Sequence, residues 1–97
     1  MASTTVERKL EAEPQAVYDA ARGALPALGY IIWKERPIAY LLLSKGQQDG
    51  KELEVNVRCS MIRPAILGVT VTGDLPEERL AELGDAVIDQ VVAVLGS

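Results

Sequence analysis

Between Leu53 and Ser60 the chain alternates without a break: Leu53, Val55, Val57 and Cys59 are apolar, while Glu54, Asn56, Arg58 and Ser60 are polar. A period of two puts the first set on one face of a strand and the second on the other, the pattern of a sheet with one covered face. Further strand candidates lie at 30–35, 38–45 and 64–72, separated from this one (51–59) and from each other by Arg36-Pro37, by GQQDG at 46–50 and by Ser60 to Arg63. Links this short join antiparallel neighbours, so a meander is predicted. Val6 and Leu10, spaced evenly among Thr and charged residues, predict one more strand over 4–11, at an edge.

Two stretches carry helical spacing instead. Over 13–28 the apolar positions Val17, Ala20, Ala21, Ala24, Leu25 and Leu28 share a face, with Pro14 in the first turn and Gly29 as a stop. Pro26 removes a backbone donor late in this helix and predicts a kink or a tightened last turn. Asp74-Leu75-Pro76-Glu77 predicts an N-cap followed by a helix to about Leu95, striped by Leu80, Leu83, Val87, Val91 and Val94 and widened by Ile88, Val92 and Leu95. The order is therefore β-α-β-β-β-β-α, an α+β single domain over 1–97 with an antiparallel sheet and both helices packed on one face.

Treating GQQDG as a five-residue loop sets Leu43 opposite Leu53 and Leu41 opposite Val55. Paired residues share a face, so Ala39, Leu41 and Leu43 are expected in the core, with Tyr40 and Leu42 outside. An even-length turn at Arg36-Pro37 adds Ile31 and Trp33 to the outer face, and an odd-length one turns them inward. Ile66 also falls outside, beside a shallow dip at Gly68. Ile31, Trp33, Ile38, Tyr40, Leu42 and Ile66 form the candidate interface. Monomers seldom leave a contiguous apolar patch beyond roughly 300–600 Å² uncovered. The expectation is a small non-catalytic interaction module that self-associates as a homodimer through this face.

Composition adds limits. The 97 residues are 48% apolar and 25% charged, as in a folded small domain. Histidine is absent, which removes the commonest general base and transition-metal ligand. With no paired carboxylates on converging elements and no phosphate-cradling Gly loop, the chain is expected not to be an enzyme, with no catalytic residue, no cofactor and no metal. The lone Cys59 has no disulfide partner and continues an inward alternation, so a buried, inert thiol in a reducing compartment is expected. The N-terminal residues lack an apolar leader, and no apolar run is long enough to span a bilayer, so a cytoplasmic protein with no membrane partner is predicted.

The net charge of −4 is uneven: residues 74–97 hold six acids against Arg79 alone, whereas residues 1–73 hold nine bases and eight acids. Glu78, Glu82, Asp85 and Asp89 form one stripe of the last helix and read as a solvated face rather than a cation site. Tyr18 and Arg22, one helical turn apart, read as a packing pair before an anion site. Lys34, Arg36, Lys45, Arg58 and Arg63 lack aromatic interleaving, which with the acidic balance argues against nucleic acid.

The element order resembles the TBP-like and helix-grip group of folds. Residues 6–25, VERKLEAEPQAVYDAARGAL, resemble the opening of START and polyketide-cyclase-like helix-grip domains, with Glu11, Ala12, Pro14, Val17 and Tyr18 as the matching residues. The resemblance implies a sheet gripping a helix, with space between them for apolar ligands. The alternative function is therefore a binder of a small apolar ligand between the sheet and the first helix, along Val17, Ala21, Ala24 and Leu28.

Overall fold

The computed structural model describes residues 1–96. Five strands, β1 (Ala2–Leu10), β2 (Ile31–Arg36), β3 (Leu41–Gln48), β4 (Lys51–Cys59) and β5 (Ala65–Gly73), form one antiparallel sheet in the order β1-β5-β4-β3-β2. Helices α1 (Pro14–Ala27) and α2 (Glu77–Leu95) cover one side of it. The α+β class and the order β-α-β-β-β-β-α are as the sequence predicts. Val55 and Val57 of β4 and Leu67, Val69 and Val71 of β5 meet Val17, Ala21 and Leu25 of α1 and Leu80, Val87, Ile88 and Val91 of α2 in a single apolar core. Gly84 lets α2 settle onto β1, since a Cβ there would stand only 2.7 Å from a Val6 methyl.

The β3–β4 connection overturns the expected register. Gln47 and Gln48 belong to β3, opposite Glu52 and Lys51, which leaves a two-residue turn of Asp49 and Gly50. Both hold positive φ, 52° and 76°, as a type I′ hairpin turn requires. Leu42 now faces Val57 and Leu43 faces Asn56. Relative to the five-residue loop the strand has slipped by an odd number of residues, and such a slip exchanges its faces. Leu42 is therefore 0% exposed in the core, not at an interface, and Leu41 and Leu43 lie on the outer face instead.

Ser44 and Gly46 follow Leu42 on the inner face. Ser44 is fully buried, and its hydroxyl donates to the Val55 carbonyl. A Cβ on Gly46 would overlap the Tyr30 ring, so the glycine is what lets that buried ring lie across β3. Tyr40 is also corrected. It closes the 3₁₀ turn Pro37–Ala39 in the left-handed region at φ 50°, and its half-buried ring packs on Tyr18 with centroids 5.4 Å apart. Ile31 and Trp33 do point outward, Trp33 as the extra residue of a bulge between Ile32 and Lys34.

Two end effects complete the frame. The last turn of α1 tightens ahead of Gly29 (φ 90°), with the Leu28 amide donating to both Ala24 and Leu25 carbonyls. Asp74 does not cap α2; Pro76 takes that position, and Asp74 reaches Lys51 at 3.7 Å. No described helix is long and apolar enough to cross a membrane.

Asp49, besides forming the turn, accepts from Arg79 Nε of α2 at 2.8 Å, which fastens the hairpin tip to the helix. That hydrogen bond holds the Asp49 carboxyl below its ordinary value. A depressed folded-state pKa contributes stability above the unfolded pKa that is lost as pH falls through the folded one. Arg79→Met should therefore be less stable than the parent at neutral pH, and the gap should close below the ordinary carboxylate range. Urea titrations of both proteins at stepped pH check this; a gap constant with pH would refute the tie.

Candidate functional site

The outer face of the sheet is the side the helices leave uncovered. One row crosses all five strands: Glu7, Gly68, Arg58, Leu41 and Arg36 are successive register partners from β1 to β2. The next row is Thr5, Thr70, Asn56, Leu43 and Lys34. Their cross-strand contacts set a floor of Leu41, Leu43 and Ile66, with Thr5 and Thr70 hydroxyls bonded to each other at 2.8 Å along one wall. Gly68 has no side chain to fill the middle, and a groove of about 660 Å³ opens over it. Glu7 leans across the glycine from one side, and Arg58 stands on the other. At the end of the groove Ser60 is held in place, its hydroxyl accepting from the Ile66 amide at 2.8 Å and donating to the Ile62 carbonyl at 3.1 Å.

A second concavity of about 670 Å³ lies at the other end of the same face, where Ile31, Lys45, Glu54 and Thr72 form a row and Met1 and Gln47 contribute. Trp33 stands beside it with the Lys45 ammonium 5.2 Å from its ring centroid, a cation–π contact.

The residues expected to form an interface are not brought together. Ile31 (72% exposed) and Trp33 (52%) sit at the β2 edge, Ile66 is three strands away, and Ile38 (91%) projects from the 3₁₀ turn beyond the end of the sheet. Tyr40 and Leu42 are on the helix side. The residues expected to line a ligand groove under α1 are core: Val17, Ala21 and Ala24 are fully buried and Leu28 is half-buried. Helix α1 is closed on the β2–β3 half by a polar seam, in which Tyr18 donates to the Leu41 carbonyl (3.4 Å), Tyr40 to Gln15 (3.2 Å) and Arg22 to Glu35 (2.9 Å). Burial, and then the Glu35 charge, raise the Tyr18 phenol above its ordinary value, which keeps it a donor. Arg22 thus pairs with Glu35 rather than joining Tyr18 in an anion site. Among the described residues no group of three or more acidic, Cys or His side chains could hold a metal ion, and the α2 stripe divides, Asp89 going to Arg8 and Glu82 to Arg79.

No protein-family model matches the chain, and no curated protein matches it in sequence. Solved structures do. CV1439 from Chromobacterium violaceum is similar at 14% identity and TM-score 0.67, over 98% of this chain and 97% of that one. CalU16 from Micromonospora echinospora is similar at 16% and 0.66, over 92% and 71%. Ara h 8.0201 is similar at 12% and 0.65, over 98% and 95%. The chain has a helix-grip fold. At these identities the likeness establishes the architecture alone.

The expectation that the chain is no enzyme is corrected. The helix-grip architecture, shared with CalU16 at TM-score 0.66, sets no bar to catalysis, so the exclusion is lifted. Missing histidine does not restore it, because Tyr, Cys and carboxylates also serve as acids and bases.

Cys59 is buried with its Sγ 3.8 Å from the Pro14 carbonyl, and burial pushes its thiol up from the ordinary value. Thiolate is the reactive form, so Cys59 should react with iodoacetamide at mildly alkaline pH at least roughly 100-fold more slowly in the native protein than in urea. Equal rates in the two states would show the thiol to be accessible.

Proposed function

We propose that this chain binds a small, largely apolar ligand, and that the ligand sits on the outer face of the sheet rather than beneath α1. The observation that supports this reading is the groove of about 660 Å³ with an apolar floor of Leu41, Leu43 and Ile66 around Gly68. Its volume lies within the roughly 300–1,000 Å³ of small-molecule sites, and its few polar groups converge on one cleft. The helix-grip fold supports a ligand-binding role only in general terms, and the burial of Val17, Ala21 and Ala24 in the core favours the outer face over the α1 side.

Gly68 provides the test. A Cβ there would meet Glu7 Cγ at 3.6 Å and the Arg58 carbonyl at 3.7 Å, ordinary contact distances, so a larger side chain can be added without displacing the sheet. In an NMR titration with octanamide, amide shifts should gather on Leu41, Leu43, Ile66 and Gly68. Gly68→Leu should lower the affinity roughly tenfold while leaving the melting temperature nearly unchanged. Equal binding by parent and variant, or shifts clustered elsewhere, would remove the groove as the site.

A second reading is association of two copies along the β2 edge, favoured by the exposure of Ile31 and Trp33 side by side on the outer face. Sedimentation equilibrium should then detect a dimer that Ile31→Ser/Trp33→Ser dissociates; a monomer at high concentration would dispose of it.

A further inference from the structure

Resting on the groove as a binding site, we propose that its ligand class is a small apolar carboxylic acid, with the tail on Leu41, Leu43 and Ile66 and the carboxylate between Arg58 and Arg36. Ion pairing in this molecule is segregated by face. Seven ion pairs join the described residues, and every one lies on the helices, on the helix side of the sheet or at its connections. No charged side chain of the outer face takes part in any of them. In the half of that face holding the groove, Lys9, Lys34, Arg36 and Arg58 stand against Glu7 alone. On a chain of net charge −4 this is a local reversal of sign; Arg58 and Glu7 line the cleft itself, and Lys9, Lys34 and Arg36 stand outside its lining on the same face.

The register places the two arginines where one anion can use both. Leu41 is the direct partner of Arg36 on β2 and of Arg58 on β4. Their backbones are two strand spacings apart, roughly 10 Å, a span that two long side chains leaning over Leu41 can close around one carboxylate. Guanidinium is weakly hydrated, always charged and shaped for bidentate carboxylate recognition, so an unpaired Arg at an apolar cleft favours this head group over a neutral one. Glu7, across Gly68 from Arg58, limits the charge the site accepts, because a second negative group on the ligand would meet it.

The test compares octanoate with octanamide, which share a tail and differ in charge. Octanoate should bind at least about tenfold more tightly, with the largest shifts at Arg58, Leu41 and Arg36, and added salt should weaken octanoate without affecting the amide. Arg58→Gln should abolish the preference, bringing octanoate to the affinity of the amide, while circular dichroism and melting stay at parental values. Arg58→Lys should retain only part of it. If acid and amide bind the groove equally, the carboxylate assignment falls and the ligand reading stands. If neither shifts any groove resonance at millimolar concentration, both fall.

Discussion

Which side of β3 faces the helices is decided by two backbone angles. With Asp49 and Gly50 both in the left-handed region, the β3–β4 hairpin closes in two residues and its twist matches that of the strands it joins. Everything on the two faces follows from that closure. Leu42, Ser44 and Gly46 turn inward, Tyr30 has a glycine to lie on, and Leu41 and Leu43 are left outside to floor a groove. A turn one or three residues longer would bury Leu41 and Leu43 and expose Leu42, and the same sequence would have no apolar cleft beside Arg58. The Arg79 hydrogen bond to Asp49 ties this turn to α2, so the register is supported from outside the hairpin as well as within it.

The two faces of the sheet then solve different problems. On the helix side apolar packing is dense, buried polar groups are bonded and charges are paired across elements, as with Arg8–Asp89 and Arg22–Glu35. Such exposed pairs contribute roughly 0–1 kcal/mol each and mainly set which surfaces meet. On the outer side cross-strand Thr and Ser hydroxyls bond to one another, while no charged group joins any of the seven ion pairs although oppositely charged residues are nearby. Lys45 is the direct register partner of Glu54, yet its ammonium sits over Trp33. Such a surface presents charges outside ion pairs and apolar atoms between them on the same side of the sheet.

Much of the frame was legible in the chain. Strict alternation in Leu53–Cys59, and a looser one in Ala65–Val71 that only Ile66 interrupts, placed β4 and β5 and their buried faces, and helical spacing placed α1 and α2 to within a residue or two. The failure was local: GQQDG contains Asp-Gly, the strongest short hairpin signal, but its flanking glutamines have no hydrophobic alternation to mark them as strand. Runs such as Leu41-Leu42-Leu43, apolar at every position, carry no parity of their own and inherit it from the turn. The groove escapes the sequence pattern for the same reason, since a five-residue loop would send Leu41 and Leu43 to the core. The dip at Gly68 and the outward Ile66, Asn56, Arg58 and Ser60 are legible in the pattern and lie in the cleft. Long-range unpairing of Arg36 and Arg58 is a property of register and has no signature in composition.

Small side chains on α1 bear on where a ligand can go. Ala20, Ala21 and Ala24 give α1 an inner face of small side chains, which would leave room beneath the helix only if its backbone stayed at a fixed height above the sheet. Nothing holds it there. A helix whose inner face is alanine can approach until its backbone is in contact, because interiors pack to near-crystalline density and an unfilled gap forfeits dispersion contacts. Here α1 comes down until Ala21 and Ala24 are fully buried, and its long edge residues Tyr18, Gln15 and Arg22 close the seam against β2 and β3. Among the described residues no element covers the outer face in the same way. A glycine between Glu7 and Arg58 on a hydrogen-bonded sheet leaves a depression that neighbouring strands cannot fill without breaking register, so vacant volume persists on that side and is lost on the other.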